Sequence, residues 1–139
     1  MSSVTRDSDR LPRYRGAWLV LGWGMTLLIA LGSLLPSVPQ QSFGASDKFI
    51  HFGAYACLAF MYAGVVERRH WWRVILGLLL FGGAIEFAQE LLTPWRSGEW
   101  LDMVANALGV MAGVFTAMLF PGSWCRQVER LVGLDEGRR

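Results

Sequence analysis

Three clusters carry most of the polar chemistry of this 139-residue chain: Asp47, Lys48, His51 and Tyr55; Glu86, Gln89 and Glu90; and Arg96, Asp102 and Asn106. Asp47, His51 and Tyr55 fall at i, i+4 and i+8, one face of a helix. An Asp one turn before a His can accept its ring N–H, which fixes the tautomer and makes the imidazole a candidate general base. Glu86 is the natural acid counterpart, and Asp102 adds a further carboxylate. His51, Glu86, Asp47 and Asp102 are therefore the catalytic candidates. Lys48 and Arg96 are natural seats for a phosphate or carboxylate, with Asn106, Gln89 and Tyr55 as further ligand-binding groups. One imidazole and several carboxylates could also hold a cation. No tight metal motif such as HExxH accompanies them, so neither a metal nor another cofactor is expected. The sequence has no Gly-rich phosphate loop and no nucleophile elbow. Activation of water is then the economical enzymatic reading, and plain binding is the alternative.

The elements that must position these residues are apolar. Hydrophobic residues make up 53% of the sequence and charged residues 17%, with 16 Gly and 7 Trp. A soluble domain this small would need more polar surface, and a disordered chain would be far less hydrophobic. Two Cys exclude a disulfide-stapled module. Cys57 and Cys125 are expected at different depths, hence as plain thiols.

Four apolar runs, 16–35, 49–66, 71–92 and 101–120, are each long enough to cross about 30 Å of hydrocarbon as a helix. Pro36, Thr93-Pro94 and Pro121-Gly122 end three of them, and the cluster Glu67, Arg68, Arg69, His70 ends the other. The first run reads as a span and not as a cleaved signal, because three more spans follow. The expected fold is all-α: a single membrane domain, a four-transmembrane-helix bundle. Of the 13 Lys and Arg, all but Lys48 and Arg96 flank one side of these spans. The positive-inside rule then makes both termini and the middle loop cytoplasmic in a multi-pass protein of the inner (cytoplasmic) membrane. Trp71, Trp72 and Trp124 mark the inner boundary, Trp95 and Trp100 the outer one; Trp23 lies too deep for either belt. Segment 123–134 either lies on the inner surface as an amphipathic helix, with Trp124, Val128, Leu131 and Leu134 on its apolar face, or frays. The arginines are short flanks of spans and not a basic stripe, so no nucleic-acid partner is expected.

Depth sharpens the functional reading. Measured from the outer helix ends, His51 lies about 6 Å in, Tyr55 about 12 Å, Glu86 about 10 Å and Asn106 about 9 Å. Glu90 and Asp102 are shallower. Polar residues from three helices thus converge on one layer, where ionisable side chains are costly and face the bundle interior or a wet cavity. Ala105, Gly109, Gly113 and Ala117 form a ridge that lets another backbone approach the fourth helix, and Gly82 and Gly83 should do the same on the third. The first helix is the peripheral support. A bundle with such a ridge could also form a homo-oligomer.

The segments D-K-F-I-H-F-x-x-Y from Asp47 to Tyr55, E-F-A-Q from Glu86 to Gln89, and R-S-x-x-x-L-D-x-x-x-N-x-x-G-x-x-x-G from Arg96 to Gly113 together resemble the VanZ-like family. The resemblance covers residues 47–117 and includes Asp47, Lys48, His51, Tyr55, Glu86, Gln89, Arg96, Asp102, Asn106, Gly109 and Gly113; it does not extend to Glu90. It implies a small multi-spanning membrane protein of the bacterial cell envelope, in a family whose founding member is associated with tolerance to the glycopeptide teicoplanin. The connection from Thr93 to Trp100 is too short to cover a large extracellular ligand.

Two functions follow as expectations. In one, an outer-leaflet polar pocket binds or processes an anionic membrane lipid or a lipid-linked envelope precursor. In the other, the polar layer only stabilises a structural or interaction protein. A transport path is disfavoured, because the third helix offers no polar partner between Glu86 and Arg73.

Overall fold

Proline and charge set the helix ends, and apolar length sets what lies between them. The computed structural model describes residues 11–35, 44–92 and 100–134, with side chains of 44–46 excepted. Helix α1 spans Arg15–Leu34. Leu35 leaves the helical region at φ −72° and ψ 147°, as expected of a residue that precedes a proline. Helix α2 spans Gly44–Val65 and starts five residues before the apolar run does. Asp47 and Lys48 are consequently inside the helix and not at its mouth. The acidic side chain in the first turn suits the positive end of the helix dipole, a signal that hydropathy alone does not carry.

Glu67 turns extended, a single 3₁₀ turn covers Arg68–His70, and α3 runs Trp71–Leu92. Helix α4 spans Trp100–Met118, and the short α5 spans Trp124–Leu131 with Ser123 as its N-cap. The first four helices are long and apolar enough to cross a membrane, and no strand occurs among the described residues. Large apolar side chains such as Val20, Leu28, Leu80, Phe87, Phe115 and Leu119 are exposed all round the bundle. That surface suits lipid and not water.

Helices α2 and α4 form the centre. On α4 the buried face runs Asp102, Ala105, Asn106, Gly109, Val110, Gly113, Val114, Ala117, a helical stripe. A Cβ on Gly109 would strike the carbonyl oxygen of Phe52, and one on Gly113 that of Ala56. Only glycine permits this approach of two backbones. The expected ridge of Ala105, Gly109, Gly113 and Ala117 is therefore the seam between α2 and α4. Helix α1 is peripheral, with Gly22 its only buried residue.

The end of the bundle at Arg15 is tied by side chains. The last carbonyls of α2 have no intrahelical partners, and three elements supply them. Trp71 Nε1 donates to Ala63 and Val66 oxygens at 3.1 Å each, Arg15 Nε to Val65 at 3.0 Å, and Ser123 Oγ to Gly64. Helix α5 packs on the bundle through one edge. Leu131 is 85% exposed, whereas Cys125 and Glu129, one turn apart, are buried against the bundle. A buried carboxylate decides the rotation of this helix, as its bonds below explain.

Candidate functional site

His51 sits one turn into the bundle from Asp47 and is buried. Its Nδ1 lies 3.0 Å from Asn106 Oδ1 and 3.8 Å from Glu86 Oε1. Its Nε2 lies 3.9 Å from Asp47 Oδ2 and 4.0 Å from Asp102 Oδ2. The imidazole thus has a carboxylate from α3 on one side and carboxylates from α2 and α4 on the other. Asn106, Glu86 and Asp102 are themselves buried. The three-helix convergence anticipated from depth is present.

Lys48 closes the layer at the helix ends. Its Nζ lies 3.5 Å from Asp102 Oδ1, and its side chain keeps 31% of its surface exposed while that of Asp102 keeps 3%. The ammonium is therefore the group of this cluster most open to the surroundings. Below it, Tyr55 is buried with its ring tilted against Phe81, centroids 6.0 Å apart. Gly82 makes this possible: a Cβ there would come within 3.2 Å of Asn106 Nδ2 and 3.3 Å of the Tyr55 hydroxyl. Gly83 plays no such part, since a Cβ on it would meet nothing within 4 Å. The pair was expected to act together; one helical step of about 100° turns Gly83 off the packed face. Tyr55 Oη and Asn106 Nδ2 are buried with no hydrogen-bond partner among the described residues.

Gln89 is fully buried and donates through Nε2 to Ser33 O of α1 at 2.9 Å, so it fastens the peripheral helix to α3. Glu90 is exposed. Arg96, the second expected anion seat, lies outside the described residues, as do Thr93 and Trp95.

The atoms offered by Asp47, His51 and Asp102 lie within 4.8 Å of one another. One nitrogen and two carboxylates suit a divalent cation in type. The Lys48 ammonium already places positive charge on Asp102. The same geometry can orient a proton: an imidazole flanked by carboxylates on both ring nitrogens can accept from, or donate to, a polar group brought in beside Lys48.

Sequence reading missed Glu129. It is 1% exposed, and its carboxylate accepts from the backbone N–H of Arg13 at 2.7 Å, that of Tyr14 at 2.9 Å and the indole of Trp18 at 2.9 Å. Tyr14, the N-cap of α1, supplies no side-chain cap of its own. The carboxylate of α5 therefore stands at the positive end of the α1 dipole. Its partners are more than a hundred residues away in sequence, so no local pattern marks it. No protein-family model matches the chain, and no curated protein or solved structure matches it.

Proposed function

We propose that this chain is a VanZ-like membrane protein whose His51 layer binds or processes an anionic amphiphile, a lipid or lipid-linked envelope precursor, from the outer leaflet. One observation carries the reading: a partly exposed lysine shares the carboxylate of Asp102 with a buried imidazole flanked by carboxylates, all within one layer at one end of the bundle. Lys48 would take the phosphate or carboxylate of the headgroup, while His51, with Glu86, Asp47 and Asp102, would hold or move a proton beside it. The buried Tyr55 hydroxyl and Asn106 amide nitrogen supply further polar contacts next to that layer. The sidedness rests on charge. Arg13, Arg15, Arg68, Arg69, Arg73, Arg126 and Arg130 all belong to the opposite end, which the positive-inside rule turns toward the cytoplasm.

The structural alternative has its own support. Lys48 is already bonded to Asp102, and His51 to Asn106, so part of the layer satisfies itself. Against it stand the Tyr55 hydroxyl and the Asn106 amide nitrogen, buried without a partner among the described residues, which a layer serving only as internal glue would satisfy. The test is binding of a polyprenyl monophosphate to the full chain in nanodiscs, read by native mass spectrometry. Lys48→Gln and His51→Gln should each lose the adduct while remaining folded by circular dichroism. Equal adduct in all three proteins would leave the structural role as the only reading.

A further inference from the structure

At the opposite end of the molecule a cavity of about 610 Å³ lies between α1, α2 and α3. That is within the range of about 300–1,000 Å³ typical of ligand sites. Trp23, Tyr62, Gly77, Leu78 and Phe81 form its walls. The two hydroxyls on those walls are both engaged: Thr26 Oγ1 donates to Gly22 O at 2.9 Å and accepts from the Tyr62 hydroxyl at 2.9 Å. The wall is therefore largely apolar. Gly77 contributes open space, since a Cβ there would meet nothing within 4 Å.

The mouth differs in character. Arg15, His70 and Arg73 line it with Glu67, and Glu67 is taken by Arg69 at 2.6 Å. Arg15 commits its Nε to Val65 O, and Arg73 stacks its guanidinium 5.3 Å from the Trp72 ring centroid. Among the described residues, two arginines with no uncommitted carboxylate beside them give the mouth a positive charge. From Arg15 to Thr26 along α1 the cavity runs about 16 Å, close to half of a hydrocarbon core of roughly 30 Å. Charge at the headgroup level and apolar walls reaching the midplane match one molecule class, an anionic phospholipid with an acyl chain laid inward.

We infer that the cavity between α1, α2 and α3 is a binding site for one anionic phospholipid of the leaflet at the Arg15 end, headgroup on Arg15 and Arg73, acyl chain along Tyr62, Gly77 and Phe81. The site is independent of the His51 layer and stands whatever that layer does. Its occupant also explains why α1 needs so few buried residues of its own, because a lipid chain completes its packing against α3.

The experiment is native mass spectrometry of the full chain extracted from vesicles of equimolar phosphatidylglycerol and phosphatidylcholine. One phosphatidylglycerol per chain should be retained about thirtyfold over phosphatidylcholine, the order expected from two arginines at a membrane surface. Arg73→Gln, which leaves the Arg15–Val65 bond alone, should lower that preference to a few-fold. Gly77→Phe, which puts a ring across the acyl path without touching a charge, should abolish retention of both lipids. Equal retention of the two lipids by the unaltered chain overturns the proposal. So does a folded Gly77→Phe that keeps its phosphatidylglycerol, or a second copy of the chain found in place of lipid.

Discussion

His51 and Asn106, 55 residues apart in sequence, meet with the ring Nδ1 3.0 Å from the amide Oδ1. An amide oxygen only accepts, so with the amide oriented this way the contact calls for a proton on Nδ1, while the other nitrogen faces Asp47 and Asp102. The contact also ties α2 to α4 at the polar layer, one turn beyond the Gly109–Phe52 approach that holds the same helices together. Asn106→Leu removes the acceptor while keeping the branched shape, leaving a buried N–H unpaired. The expected loss is about 1–3 kcal/mol, seen as a lower midpoint when the protein is unfolded in detergent by SDS. An unchanged midpoint would mean that the pair contributes nothing to the fold.

Lys48 and Asp102 should couple. Neutralising Lys48 alone, as Lys48→Gln, leaves a carboxylate with 3% exposure without its cation. Asp102→Asn in the same chain removes that carboxylate. A double-mutant cycle should therefore give a favourable coupling of about 0.5–3 kcal/mol, with the double variant more stable than Lys48→Gln. Strict additivity would show that the ammonium and carboxylate do not depend on each other.

The backbone contact between α2 and α4 gives a sharper contrast. Gly109→Ala must push a methyl group into the Phe52 carbonyl, which as helical backbone cannot turn aside. Gly53→Ala, on the facing helix, adds its methyl to open space. The first should cost about 1–3 kcal/mol by overpacking. The second should gain about 0.5–1 kcal/mol, because alanine loses less freedom than glycine in forming a helix. Unfolding midpoints measured side by side decide it, and equal shifts would remove the case for close approach.

Much of this was legible from residue types and spacing. The four spans, the seam of small residues on α4 and the convergence of His51, Glu86, Asp102 and Asn106 follow from periodicity and depth, because a membrane penalises any ionisable group that does not face its fellows. What escaped depends on contacts between distant segments. The early start of α2 is set by an acid at a helix dipole and not by hydropathy. Gln89, with the right type and spacing for the polar layer, bonds across to a backbone carbonyl of α1 that no side-chain pattern reveals. Gly82 and Gly83 look alike in sequence, and only the helix rotation separates the one that packs. Glu129 reads as one charge among several arginines, yet it orients α5 and receives the start of α1.

That carboxylate makes its own prediction. Glu129→Gln retains one acceptor oxygen but turns an NH₂ group toward donors, so one of the bonds from Arg13, Tyr14 and Trp18 must fail. The expected cost is about 1–3 kcal/mol, concentrated where α1 begins. Limited proteolysis should cut the variant near Arg13 and Arg15 faster than the unaltered chain, while hydrogen exchange in α4 stays unchanged. Equal cleavage rates would show that α1 holds its position without this clamp.

Cys125 reports on the same junction through its acidity. It is fully buried on α5, where burial first, and the negative charge of Glu129 second, push its thiol up to about 12. At pH 8 the folded protein therefore holds the protonated thiol, which is not the nucleophilic form. In a Cys57→Ser background, where Cys125 is the sole thiol, a maleimide should not label the native protein at pH 8 but should label it fully in SDS. The sign of the stability effect follows from the same shift. A pKa higher in the folded state means that the unfolded chain releases its proton first, so the contribution is complete below pH 9 and disappears as the pH climbs to about 12. The unfolding midpoint should fall through that window, and replacing Cys125 with Ala should flatten the fall. Rapid labelling of the native protein at pH 8 would show that α5 does not stay packed against the bundle.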